Sequence, residues 1–337
     1  MTDRPVYYEL PGFDHIHLDC ETSAFGRVLR HLSVDPRILG DEWGYRYRPD
    51  RPFPLAAAEI ARSWPPDSML RWYGIEVRTT DHADPDAAWA LLRELTGRGE
   101  AVLLSVDLYE WPMSTFHGRF GFPHRVVVAE CGPDEALVLD GRGENRHIGW
   151  LDRALLARAM STPTLTEAGE RCRTMRFTAP EGEHDPRSEC RSALATSCVR
   201  YFDSEQEGWR ASETVLTRLR EFTAGKTALA DECVMPAVAF FGGAASQWQL
   251  SSLFLDFAAE QLAVDLGPAA AGFRQIAALW MRAYHIFLFG YHAGRSPIGL
   301  LRKATGRIAE LAPMERTAME LLARQLAETG LRCASGG

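Results

Sequence analysis

The chain has none of the spacings that mark a metal or nucleotide site. No H-x-x-x-H or H-E-x-x-H occurs, so no metal is expected. Gly141-Arg142-Gly143 and Gly242-Gly243 come without a phosphate-loop lysine, which argues against nucleotide binding. Seven cysteines (Cys20, Cys131, Cys172, Cys190, Cys198, Cys233, Cys333) include no C-x-x-C pair. That odd, scattered set fits free thiols in a reducing cytoplasm better than a disulfide framework or a zinc site.

Long apolar runs are missing too. The most apolar helical candidate, around Ile276 to Gly290, is broken by Arg282 and His285 and is too short and charged for a membrane span. Met1-Thr2-Asp3-Arg4-Pro5 leads into no apolar signal core, so no secretion signal is expected. Positive charge is in deficit: the net charge is -8 and the pI is about 5.7. This argues against nucleic acid as the main partner, although a local basic patch would still serve an acidic protein. Internal repeats and low-complexity tracts are absent from the sequence.

What is present suits a soluble globular protein: 337 residues, 46% hydrophobic and 24% charged. That length makes one large domain or two ordinary ones. The first half alternates strand-like and helix-like segments, and the spacing predicts a helix from Cys20 to about His31. Further helices are expected over Leu55 to Trp64, Ala87 to Leu95 (capped by Asp84) and Trp150 to Met160. Strands are expected over Trp72 to Thr79, Ala101 to Asp107, His124 to Glu130, Ala136 to Asp140 and Cys172 to Phe177, the third and fourth forming a hairpin about Gly132-Pro133-Asp134. Pro180 to Pro186 reads as a linker. Beyond it the pattern is helical almost throughout, as in Phe254, Phe257, Ala258 and Leu262. The expected fold is α+β over roughly 1–180 and all-α over roughly 187–332.

Three residues gain meaning together. Cys20 stands at a helix start, where backbone N–H groups favour a thiolate over a thiol. His124 starts one strand of the hairpin and Asp140 ends the other, so the carboxylate can reach the ring. A thiol nucleophile needs a base within hydrogen-bond reach, and the base needs a third group to fix its tautomer. The plain alternatives are a buried structural cysteine, a histidine that merely starts a strand, and a turn acid before Gly141. His17, near the cysteine, and the aromatics Trp43, Tyr45, Tyr109 and Trp111 are the expected pocket walls; each aromatic is equally an ordinary core residue. The N–H of Cys20 is one natural oxyanion donor. Asp14, His15, His17 or Asp19 would supply the second.

The stretch from His17 to Tyr45, with Cys20-Glu21-Thr22-Ser23-Ala24 and Leu39-Gly40-Asp41-Glu42-Trp43-Gly44-Tyr45, resembles the N-terminal domain of the butirosin biosynthesis protein H family. So does Phe122-Pro123-His124-Arg125-Val126-Val127-Val128 followed by Val138-Leu139-Asp140. Gly242-Gly243, Ser252-Leu253-Phe254-Leu255 and Phe273-Arg274-Gln275-Ile276-Ala277-Ala278-Leu279-Trp280 resemble the uncharacterised helical module that often follows that domain.

The resemblance implies a papain-like, cysteine-protease-type fold used for acyl transfer. The acyl or aminoacyl group would come from the phosphopantetheine thioester of an acyl or peptidyl carrier protein and pass to a small-molecule amine, with no cofactor bound to the chain itself. Carried over by motif, Cys20 is the acyl-accepting nucleophile, His124 the general base and acid, and Asp140 its orienter. The family pattern has a His directly before the Cys; here Asp19 stands there, and a carboxylate beside the sulfur works against its ionised form. Two other readings stay open: a cysteine hydrolase (thioesterase or peptidase) using the same triad, and a non-catalytic scaffold.

Overall fold

The computed structural model describes residues 18–48, 53–60, 67–141, 147–178, 185–204, 208–328 and 330. In chain order these form α1 (Cys20–His31), β1 (Tyr45–Tyr47), β2 (Ala58–Ile60), α2 (Asp67–Tyr73), β3 (Glu76–Asp81), α3 (Pro85–Thr96) and β4 (Val102–Asp107). Then come β5 (Pro123–Cys131), β6 (Glu135–Asp140), β7 (His147–Asp152), α4 (Arg153–Ala159), α5 (Pro163–Glu167) and β8 (Arg173–Thr178). Six helices follow: α6 (Pro186–Asp203), α7 (Gly208–Thr223), α8 (Val234–Leu262), α9 (Gly267–His292), α10 (Pro297–Arg307) and α11 (Leu311–Glu328). Among the described residues no helix is long and apolar enough to cross a membrane.

The fold is α+β and divides into two compact units, Met1–Pro36 with Tyr73–Gly182, and Arg37–Trp72 with Glu183–Gly337. The first unit is built on a six-stranded antiparallel sheet in the order β3-β8-β4-β5-β6-β7. Val102, Leu104, Val106, Val126, Val128 and Val138 supply the sheet's side of one core, which Trp89 and Leu92 of α3 and Leu156 of α4 complete. β4 is buried along its whole length, the mark of a strand covered on both faces. α1 packs against β4, β5 and β6.

The second unit gathers α6 to α11 with the β1–β2 ribbon and α2. Its aromatic centre is a chain of edge-to-face and tilted contacts. Trp248 meets Phe273 at 4.8 Å, and Trp280 meets Phe240 at 5.5 Å. Such pairs add about 0.5–1.5 kcal/mol each beyond the area they bury.

Four expectations from the sequence need correction. A first unit running unbroken to residue 180 does not form, because residues 37–72 cluster with the helical unit. The reasons are local. Gly40 approaches α8 so closely that a Cβ there would sit 2.2 Å from the Leu250 carbonyl oxygen. Trp72 packs edge-on against Phe254 and Phe257, and Ser197 donates to the Asp41 carbonyl at 2.7 Å. Secondly, Leu55 to Trp64 is not a helix over its described part: Ala58–Ile60 is a strand paired with Tyr45–Tyr47, so pairing overrides the helix preference of the alanines. Thirdly, Trp72 belongs to the last turn of α2 and is not part of a strand; β3 begins only at Glu76. Lastly, Trp150 and Leu151 belong to β7, and the helix starts at Arg153, where Asp152 accepts from the Ala154 N–H at 2.7 Å. β7 alternates in burial, a period of two that a short apolar run does not reveal. Most of the expected linker, residues 180–184, lies outside the described residues.

Candidate active site

α1 positions the cysteine. Asp19 is its N-cap, its carboxylate accepting from the Thr22 N–H at 2.7 Å, and Cys20 is the first helical residue. The carboxylate of Asp19, next to the sulfur in sequence, is thus engaged in capping, which stabilises a helix by about 1 kcal/mol. Phe25, Val28 and Leu29 are buried, and the Phe25 ring meets Phe177 edge-on at 5.4 Å. Burial of those three side chains contributes roughly 5–9 kcal/mol at 1.5–3 kcal/mol each. Cys20 itself is half-buried.

Two arginines fix this helix against the sheet. Arg27, two turns along α1 from the cysteine and 1% exposed, donates to the Gly141 carbonyl at 3.2 Å. Arg125 of β5 forms a two-pronged pair with Glu170, at 2.6 and 2.7 Å, and also meets Glu21 on α1 at 3.7 Å. Its guanidinium is near enough to Cys20 to feel the sulfur's charge. Burial works against that cation, but the hydrogen-bonded Glu170, with Glu21 and Cys20, holds its pKa above the usual arginine value.

The hairpin positions His124. Val127 pairs with Leu139 and Val128 with Val138, so Asp140 falls diagonal to His124 on the same face of the sheet. A bulge at Ala129 takes up one extra residue before the turn. His124 Nε2 lies 2.7 Å from Asp140 Oδ1, and both side chains are buried. The Cys20 thiol is within hydrogen-bond reach of the same ring. With Nε2 engaged by the carboxylate, Nδ1 is the nitrogen left to the sulfur.

Asp140 accepts two further bonds. Trp111 Nε1–H donates to Oδ2 at 2.5 Å and the Gly141 N–H to Oδ1 at 2.5 Å. Gly141 turns back in this way at φ 71°, a conformation that glycine adopts without steric penalty. Burial tends to raise the Asp140 pKa, but the His124 charge and the bonds from His124, Trp111 and Gly141 outweigh it and hold the carboxyl below its usual range. Burial likewise disfavours the charged imidazole, yet the Asp140 carboxylate and the Cys20 sulfur together hold its pKa well above the ordinary histidine value. The structure therefore brings together a thiol, an imidazole and a carboxylate, and the last two favour each other's charged form.

The expected pocket walls fare differently. Trp111 is not a wall: it is wholly buried, its ring centroid 6.4 Å from that of His124, and its N–H is used on Asp140. Tyr109 is on the same loop and 45% exposed, its backbone N–H bonded to Asp107. Trp43 is a core residue of the second unit, packed against Phe254 and Phe273 at 6.3 and 5.8 Å, and Tyr45 is in β1 of that unit. His17 lies outside the described residues, as do Asp14 and His15.

The sequence reading missed five residues around this site: Arg27, Arg125, Glu170, Trp111 as a donor to Asp140, and Asp107. The last closes the loop that carries Trp111, accepting from the N–H groups of Tyr109 and Phe122 at 3.0 and 2.9 Å. Its signal was an acid at a strand end before an aromatic Gly/Pro loop. Burial pushes Cys131 up to about 11 and Cys190 up to about 12, and raises Cys172 and Cys233 as well. No protein-family model matches the chain, and no curated protein matches it in sequence.

Proposed function

We propose that the chain is a cysteine-dependent acyltransferase of the butirosin biosynthesis protein H type, with a papain-like first unit. Cys20 takes an acyl or aminoacyl group from the phosphopantetheine thioester of a carrier protein and passes it to a small-molecule amine. The observation that carries this reading is the half-buried Cys20 set beside the buried His124–Asp140 pair, whose carboxylate also accepts from the Trp111 N–H.

The relay supports two matched steps. The Cys20 sulfur attacks the thioester carbonyl carbon, and a tetrahedral oxyanion forms. As it collapses the bond to the carrier's sulfur breaks, and that sulfur leaves with the proton held by His124. In the second step the acceptor amine attacks the acyl-Cys20 carbonyl and His124 takes the amine proton. The carbon–sulfur bond to Cys20 breaks, and the thiolate–imidazolium pair is restored. Asp140 holds the ring orientation throughout and offsets the imidazolium charge. A thioester is already activated, so the first step exchanges one thioester for another and needs little driving force.

Intact-protein mass spectrometry after incubation with an acylated carrier protein tests the assignment. Wild type is expected to gain the acyl mass and Cys20→Ala to gain none; acylation of the alanine variant refutes it. Product analysis with and without candidate amines separates transfer from hydrolysis. Free acid formed at the same rate in both conditions would make the protein a thioesterase using this relay.

A further inference from the structure

The second unit holds a feature that the proposed acyl transfer does not use. From Leu266 to Ala309 the chain contains no aspartate or glutamate, where its average acid content would put about six. The same stretch carries Arg274, Arg282, Arg295, Arg302, Lys303 and Arg307. In a chain of net charge -8 this is a pronounced local reversal of sign. It folds into α9, the turn after it and α10.

A cavity of about 200 Å³ opens between those two helices. Ile286 and Leu300 supply apolar wall, and Phe289, 60% exposed, stands beside it with its ring 5.1 Å from that of His285 at 30°. Arg295 and Lys303 line the same cavity and are exposed, and among the described residues no acidic side chain lines it. Phe289 is the most exposed of the large hydrophobic side chains among the described residues, and here it adjoins a cavity that two cations also line. A closed apolar cavity of about 150 Å³ takes a benzene molecule, so this volume suits one ring or a short alkyl chain with a small head group.

We propose that this cavity binds a small organic anion: an aryl or short-chain alkyl body seated against Phe289, Ile286 and Leu300, with a carboxylate or phosphate monoester head between Arg295 and Lys303. The apolar body supplies affinity through area removed from water, and the cations orient the head group. The proposal is independent of the Cys20 relay.

Ligand-observed saturation-transfer NMR and calorimetric titration of the full chain test it, with phenyl phosphate, benzoate and hexanoate as probes. Benzyl alcohol serves as the neutral control and inorganic phosphate as the head group alone. At least one aryl or alkyl anion is expected to bind, at least tenfold tighter than benzyl alcohol and inorganic phosphate. Phenyl phosphate against benzoate decides which head group is preferred. The double variant Arg295→Glu/Lys303→Glu is expected to weaken binding at least tenfold, and Ala293→Trp, at the cavity lining, to abolish it. All three positions are solvent-exposed, so an unchanged circular dichroism spectrum is expected of both variants. Cys20→Ala is expected to bind like wild type, which keeps this result separate from the fate of the relay. Equal binding of inorganic phosphate and the organic anions, unaltered binding by the charge-reversed variant, or no binding of any probe overturns the proposal.

Discussion

His124 Nε2 lies 2.7 Å from Asp140 Oδ1, although the hairpin register sets the two residues diagonal and not opposite. The reach across that diagonal depends on the carboxylate being held from behind. Trp111 and the Gly141 N–H do this, one on each oxygen. Trp111→Phe keeps an aromatic ring and deletes the donor. A hydrogen bond to a charged group contributes about 1.5–3 kcal/mol, so kcat is expected to fall about 10- to 100-fold with KM little changed. Asp140→Asn is expected to lose more, about 10³–10⁴-fold, because the ring then loses both its tautomer and its counter-charge. Steady-state kinetics with an acyl thioester checks both; a Trp111→Phe enzyme with wild-type kcat would remove the indole from the mechanism.

The same pair dictates a pH response. Asp140 and Cys20 hold the His124 pKa well above its ordinary value against the effect of burial. A histidine raised on folding contributes stability that is fully present below its unfolded pKa of about 6.5 and is lost as pH rises through the folded value. The His124 ring therefore keeps its proton to a higher pH than an ordinary histidine does. The alkaline limb of the kcat/KM profile is expected well above about 6.5, and Asp140→Asn is expected to move it downward. Titration of the His124 ring protons by NMR gives the same information without substrate. An unmoved limb in the asparagine variant would mean that another group sets it.

Much of this site was legible in the sequence because each part carries a local signal. Asp19 to His31 combines an N-terminal cap with helical spacing, and Gly132-Pro133-Asp134 marks a turn between two short apolar runs, which fixes where 124 and 140 fall. Trp111 was legible only as an aromatic in a loop; its N–H finds Asp140 through tertiary packing across 29 residues. The placing of residues 37–72 was hidden for the same reason. Trp43 and Trp72 pack against Phe254, Phe257 and Phe273, far later in the chain, and no local pattern encodes such a choice. Ala58–Ile60 and Trp150–Leu151 failed as helices because a few apolar residues fit either period.

Asp41 makes the second unit pH-sensitive. Burial pushes its carboxyl up to about 7, against the opposing pull of Arg71 and the Trp72 N–H; Glu42 adds to the rise and Arg200 opposes it. Oδ2 accepts from Trp72 at 2.7 Å and from Arg71 at 3.2 Å, while Oδ1 has no partner among the described residues. An acid raised on folding keeps a proton that the unfolded chain releases near pH ~4. Stability is therefore expected to fall as pH rises from about 4 to about 7 and then level off. Asp41→Asn retains an acceptor for Trp72 and has no proton to lose. At pH ~8 it is expected to be more stable than wild type by an amount on the order of a few kcal/mol, at about 1.4 kcal/mol per pKa unit. At pH ~5 most of that gain is expected to vanish. Thermal melts at the two pH values, followed by tryptophan fluorescence, check the difference, and a gain of equal size at both would rule out titration of Asp41 as its cause.

Arg27 tests whether the helix carrying Cys20 is held to the strand carrying Asp140 by a directed contact or by packing alone. Its guanidinium is buried and donates to Gly141 O, the carbonyl directly after Asp140, so one bond spans both partners of the imidazole. Arg27→Met preserves the aliphatic stem and most of the volume but leaves that carbonyl without its donor. The loss of a hydrogen bond to a charged group predicts a destabilisation of about 1–3 kcal/mol. If the contact also sets the distance from sulfur to ring, alkylation of Cys20 by iodoacetamide at neutral pH should slow by more than the change in stability explains. Arg27→Lys, which keeps one charged donor, is expected to recover part of both. A methionine variant that is less stable but alkylates at the wild-type rate would assign Arg27 to the fold and leave the placement of Cys20 to the Asp19 cap and the buried face of α1.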